Sequence, residues 1–141
     1  MIDVENIIFT NLSAAIKAFQ SDCAVYGEYV EAPASFPCVT IVEADNRVLE
    51  RTVSLDSNEN HAQVMYEINI YTNDAQGKKT KAKSIADVID KQMSDMLFTR
   101  TFRGQTPNVD RTIYRISMRY SAVIGRGIEN NGQIVHAIYT K

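Results

Sequence analysis

Tryptophan is absent from this 141-residue chain, and cysteine, proline and glycine are scarce, at 2, 3 and 6 residues. Two cysteines, Cys23 and Cys38, are too few for the disulfide framework that holds small secreted scaffolds together, which points to a reduced environment. So little proline and glycine excludes a collagen-like or low-complexity chain, and a 45% hydrophobic share excludes a disordered one. No apolar run approaches the ~20 residues of a membrane helix. The opening Met-Ile-Asp-Val-Glu lacks the basic start and apolar stretch of a signal peptide, so the sequence reads as a protein made in a cytoplasm, with no membrane partner. The length suits one domain spanning 1–141.

Neither sign of charge dominates, yet the charge is unevenly placed. Residues 1–60 hold ten acidic and three basic side chains, and residues 61–141 hold seven acidic and twelve basic. A subunit whose acidic surface meets a basic surface of its neighbour needs such a split, whereas a fold that interleaves the halves would cancel it.

Hydrophobic spacing then lays out the elements. Val4, Ile8, Leu12, Ala15, Ile16 and Phe19 recur at helical steps, predicting a helix over Asp3–Gln20 with Asp3 as its N-cap. Ala24-Val25-Tyr26 begins a short extended piece, and Cys38–Val42 has the β-branched density of a buried strand. His61–Asn73 and Thr112–Ile124 alternate with period two, each predicting a strand with one buried face. Between them Ala82, Ile85, Ala86, Ile89, Met93 and Leu97 form the stripe of a second helix from Lys78 to about Leu97. Phe98–Arg103 reads as extended, Gly125-Arg126-Gly127 as a turn, and Gln133–Thr140 as a closing strand. The order predicts an α+β fold, a largely antiparallel sheet with both helices on one face and a polar, wet face opposite.

Residues 43–63 stand apart. Their composition is polar, with Val48, Val53 and Leu55 as apolar anchors and a turn-rich Asp56–Asn60 tip, and so long a stretch with so little core material predicts a β-arm. Arg47, Val48, Leu49, Arg51, Val53, Leu55, Asp56 and Glu59 are its candidate partner-binding residues; an exposed hairpin without a partner is the plainer reading.

No pattern points to catalysis. Cys23, Cys38, His61 and His136 lack the compact spacings of a zinc site, no serine sits in a Gly-x-Ser-x-Gly elbow, and neither a Walker loop nor a dinucleotide fingerprint occurs. The sequence therefore predicts no enzyme, no metal and no cofactor. Lys78, Lys79, Lys81 and Lys83 form a basic patch at the start of the second helix, where positive charge opposes the helix dipole. A nucleic-acid-binding module would use such a patch, but a sequence pI of about 5.7 weighs against it. Glu67, Asn69, Arg115 and Arg119 fall on the polar side of the two alternating strands and are candidates for a subunit interface or channel lining.

Several strings resemble the small tail-terminator or tail-completion proteins of long-tailed bacteriophages: the N-terminal helix, Phe36-Pro37-Cys38-Val39-Thr40-Ile41, the polar arm, Tyr66–Asn73, and a Gly-Lys turn into Ala82–Asp90. The resemblance implies a hexameric ring that caps the tail tube and offers the head-attachment surface, without catalysis. Its partners would be its own copies, the tail tube protein and a head-completion or connector protein, with DNA as passing cargo. Its place would be the host cytoplasm during assembly and the tail end or neck of the virion afterwards. Head-tail joining proteins share the pattern, so a head-closure role is the alternative.

Overall fold

In a computed structural model of the chain, residues 3–30, 33–48, 61–107, 110–128 and 134–136 are described; for Val48, His61, 126–128 and 134–136 the description is of backbone alone. In chain order the elements are α1 (Glu5–Phe19), β1 (Ala24–Tyr26), β2 (Cys38–Val48), β3 (His61–Thr72), α2 (Lys78–Asp95), β4 (Thr99–Gln105), β5 (Tyr114–Ile128) and β6 (Ile134–His136). The fold is α+β, as the periodicity predicts. The sheet runs β1-β2-β3-β5-β4, with β6 pairing the far end of β5. Every pair is antiparallel except β1 with β2, which run parallel.

Both helices serve the same sheet face. Ile8, Leu12 and Ile16 of α1 and Ala82, Ile85, Ala86, Ile89 and Met93 of α2 are buried against the inward residues of β2, β3 and β5, among them Ile41, Tyr66, Ile68, Met118 and Tyr120. The apolar stripes predict these residues because a 3.6-residue period and a period of two each place one face toward the core. The outer ends of the stripes are corrected: Phe19 is 52% and Leu97 is 67% exposed. Leu97 lies past the end of α2 with φ +64°, where Phe98 N–H donates to Met93 O at 3.0 Å and Leu97 N–H to Ser94 O at 2.9 Å. That pattern is a Schellman stop, in which the left-handed residue turns its side chain outward while Met93 and Phe98 pack inside.

Strand boundaries are corrected as well. β2 runs on to Val48 and pairs through Val48↔Ala62, so residues 43–48 and 61–63 of the expected arm are sheet; residues 49–60 lie outside the described residues. The turn expected at Gly125-Arg126-Gly127 is instead the continuation of β5, with Gly125 opposite His61. The expected N-cap is corrected too: Val4 holds that position with no side-chain cap bond, and Asp3, one residue earlier, accepts the Glu5 N–H at 3.0 Å. Register shifts interrupt β2 between Glu43 and Asp45 and β4 between Arg100 and Phe102, flanking the Tyr66↔Tyr120 pair on either side. Bulges at one level of a sheet bend it there.

Candidate functional site

The helix-free face of the sheet gathers the polar candidates. Because β3 and β5 are neighbours in the register Glu67↔Arg119 and Asn69↔Ser117, four residues separated by some fifty positions meet side by side. Arg119 Nε donates to Glu67 Oε1 at 3.1 Å, and the Tyr29 hydroxyl donates to Glu67 Oε2 at 2.6 Å. Asn69 Oδ1 accepts from Arg115 Nε at 3.0 Å and from Ser117 Oγ at 2.6 Å. Ser117 Oγ also lies 2.6 Å from Thr106 Oγ1 on the far side.

This face is drier than its polar composition suggests. Asn69 and Thr40 are fully buried and Ser117 nearly so, while the Glu67 side chain is 14% exposed. The segment after β1 brings Tyr29 over Glu67, and Arg115 lies over the Tyr71 ring at 5.4 Å. Asn69 is thus an internal hub, with Arg119, at 51% side-chain exposure, as the outward member of the set. Burial pushes the Glu67 carboxyl upward, but hydrogen bonds from Tyr29, Arg119 and Asn69 and the Arg119 charge outweigh it and hold it below the ordinary value. The same bond to Glu67 raises the Tyr29 hydroxyl.

Phe102, which no periodicity argument singles out, completes the face. The Arg119 guanidinium lies 5.5 Å from the Phe102 ring centroid. The ring itself lies along β4 over Gly104: a Cβ built there would come within 3.0 Å of it. Glycine at 104 therefore leaves the room in which Phe102 lies flat. Tyr29 and Phe102 could have been found from sequence only as exposed aromatics in loop and edge positions.

The lysine patch divides. Lys78 Nζ donates to Thr112 O at 3.3 Å and Arg111 O at 3.5 Å, and Lys81 pairs with Asp74 at 3.4 Å, which leaves Lys79 and Lys83 as its exposed members. Arg47, the one candidate arm residue with a described side chain, pairs with Asp45 at 3.0 Å and donates to Gln63 at 3.1 Å. Val48 is described by its backbone within β2; Leu49, Arg51, Val53, Leu55, Asp56 and Glu59 lie outside the described residues. Cys23 and Cys38 are buried, which pushes their thiols up to about 12 and about 11 and keeps both protonated at neutral pH. Among the described residues no three His, Cys, Asp or Glu side chains gather as metal ligands, and no helix is long and apolar enough to cross a membrane.

No family model matches this sequence, and no curated protein does. The fold, however, is similar to that of a chain in the solved structure described as the virion of a native gene transfer agent particle. The TM-score is 0.62 at 16% identity, and the likeness covers 86% of this chain and 93% of that one. The shared feature is the α+β architecture itself.

Proposed function

We propose that this protein is a structural component of a phage or phage-like particle, a tail-terminator or tail-completion subunit that assembles with copies of itself into a ring on the tail tube. Its role is non-catalytic. The observation that carries the reading is the fold likeness over 86% of the chain to a chain of a gene transfer agent virion. The charge split between the halves of the chain and the β2–β3 ladder that continues toward residues 49–60 support it. In this reading the ring caps the tube, residues 49–60 contact a neighbouring virion protein, and DNA passes through the centre without specific recognition.

The same likeness supports a head-closure component of the neck as the alternative. One experiment separates them: the purified protein is mixed with tail tubes and, separately, with DNA-filled heads, and decorated ends are counted by electron microscopy. Rings on tube ends support the terminator, decoration of heads supports the connector, and a protein that decorates neither overturns both. Replacing residues 49–60 by an Asn-Gly turn, which keeps the Val48↔Ala62 pair, should leave a cooperative thermal melt and abolish end decoration.

A further inference from the structure

The two terminal strands of the sheet path, β1 and β4, share properties that the ring reading does not by itself require. From β1 parallel to β2, and antiparallel steps from β2 to β3, β5 and β4, it follows that β1 and β4 run in opposite directions. A rotation about an axis along the strands preserves those directions. It sets β4 of one copy antiparallel to β1 of the next, the better-bonded arrangement.

Side chains at the two ends match. Tyr26 heads the cross-sheet row Tyr26, Thr40, Asn69, Ser117, Gly104, and the Phe102 ring lies over Gly104 at its other end. Tyr26, Tyr29 and Phe102 are 37%, 59% and 45% exposed, and they are three of the five large exposed hydrophobic residues among the described residues. All three stand on one sheet face, the tyrosines at the β1 end and the phenylalanine at the β4 end. Charge matches too. Thr99–Gln105 carries Arg100 and Arg103 and no acid, each arginine already holding one α2 carboxylate, while Gln20–Val30 carries exposed Asp22 and Glu28 and no base. Finally, the inward bond from Thr106 N–H to Arg115 O at 3.0 Å means, by strand alternation, that the Gln105 backbone groups point away from β5. Such an edge is a template for another strand, and closure into a ring removes it.

We infer that copies of this chain join head to tail through β4 and β1, so that the sheet continues from subunit to subunit, with Phe102 of one copy packed against Tyr26 and Tyr29 of the next. The inference rests on the ring reading but specifies its joint. Arg119 holds the Phe102 ring, and Glu67 holds both Arg119 and the Tyr29 hydroxyl, so the polar network within a subunit positions the aromatic groups of both joints.

The test uses the full chain. Glu28→Cys and Thr101→Cys are introduced together and treated with a short bifunctional maleimide, alone at high concentration and on tail tubes, beside the wild-type protein, whose two thiols are buried. The expected result is a ladder of cross-linked species ending at the mass of a closed ring. A second variant, Phe102→Asp, should fold with an unchanged circular dichroism spectrum and lose assembly by roughly tenfold or more. Rings that form without cross-links, or that tolerate Phe102→Asp, overturn this joint and leave the ring reading standing. Cross-links that stop at a dimer overturn the head-to-tail arrangement. Absence of any assembly by the wild-type protein, with or without tubes, overturns both.

Discussion

Glu67 on β3 and Arg119 on β5 stand directly opposite each other, joined at 3.1 Å, and the carboxylate also receives the Tyr29 hydroxyl. A carboxyl held below its ordinary value of 4.5 contributes stability above that pH and loses it as pH falls through the lower, folded value. Wild-type stability should therefore decline below about pH 4.5 more steeply than that of Glu67→Gln, read by urea unfolding at several pH values. Equal acid sensitivity of the two proteins would refute the assignment.

Glu43 behaves oppositely. Burial first, and then the charges of Asp3 and Glu5, raise its carboxyl despite bonds from Asn46 and Tyr66. A raised carboxyl contributes stability below the ordinary value and loses it as pH rises through the folded value. Glu43→Gln keeps an oxygen for the Tyr66 hydroxyl and should stabilise the protein at neutral pH, with the gain gone at pH 4 in the same urea series.

Asn69 should be the costliest polar residue to lose. With no exposed surface, it satisfies Arg115 and Ser117 through one oxygen. Asn69→Ala leaves those donors without their acceptor and should cost about 1–3 kcal/mol. Chemical denaturation of Asn69→Ala beside the wild type reads that loss, and a variant of wild-type stability would refute the hub.

Thr40 is its neighbour in the row and the reverse case. Its hydroxyl is buried and has no hydrogen-bond partner among the described residues. Thr40→Val, of the same shape, should stabilise by about 1 kcal/mol, since the desolvated hydroxyl is removed at no loss of bonding. A destabilised variant in thermal melting would show that the hydroxyl is satisfied.

Two changes probe α2. Leu97→Gly should relieve the positive φ at the helix end and stabilise by about 1 kcal/mol, because only glycine adopts that conformation without strain. Ile89→Asp, at a fully buried site in the middle of the stripe, should cost more than about 4 kcal/mol and leave no cooperative melt.

Legibility in the sequence followed physical cause. The stripe from Ala82 to Met93 and the alternation in β3 and β5 are periodic, so their type, face and burial could be read in advance. Periodicity fails at helix ends: Leu97 continues its stripe in spacing alone because the backbone leaves α2 before it, and Phe19, the last residue of α1, is exposed although its backbone is helical. It also fails where pairing supplies what composition lacks. Glu43-Ala44-Asp45-Asn46 is too polar to read as strand, yet the β3 ladder holds it. The candidate set Glu67, Asn69, Arg115 and Arg119 was legible as a polar side. What was not legible was its closure, because the cover comes from Tyr29, a residue whose role depends on where an irregular segment crosses the sheet.

The order of strands also governs how the chain is made. The central ladder joins Glu67 to Arg119 across 52 positions, so β3 must wait for α2 and β4 to be synthesised before its second neighbour exists. A nascent chain emerging from the ribosome holds the β2–β3 pair with one flank bare, and such long-range closure is slow. Slowing translation before residue 114 should therefore increase aggregation, read as the insoluble share of the expressed protein.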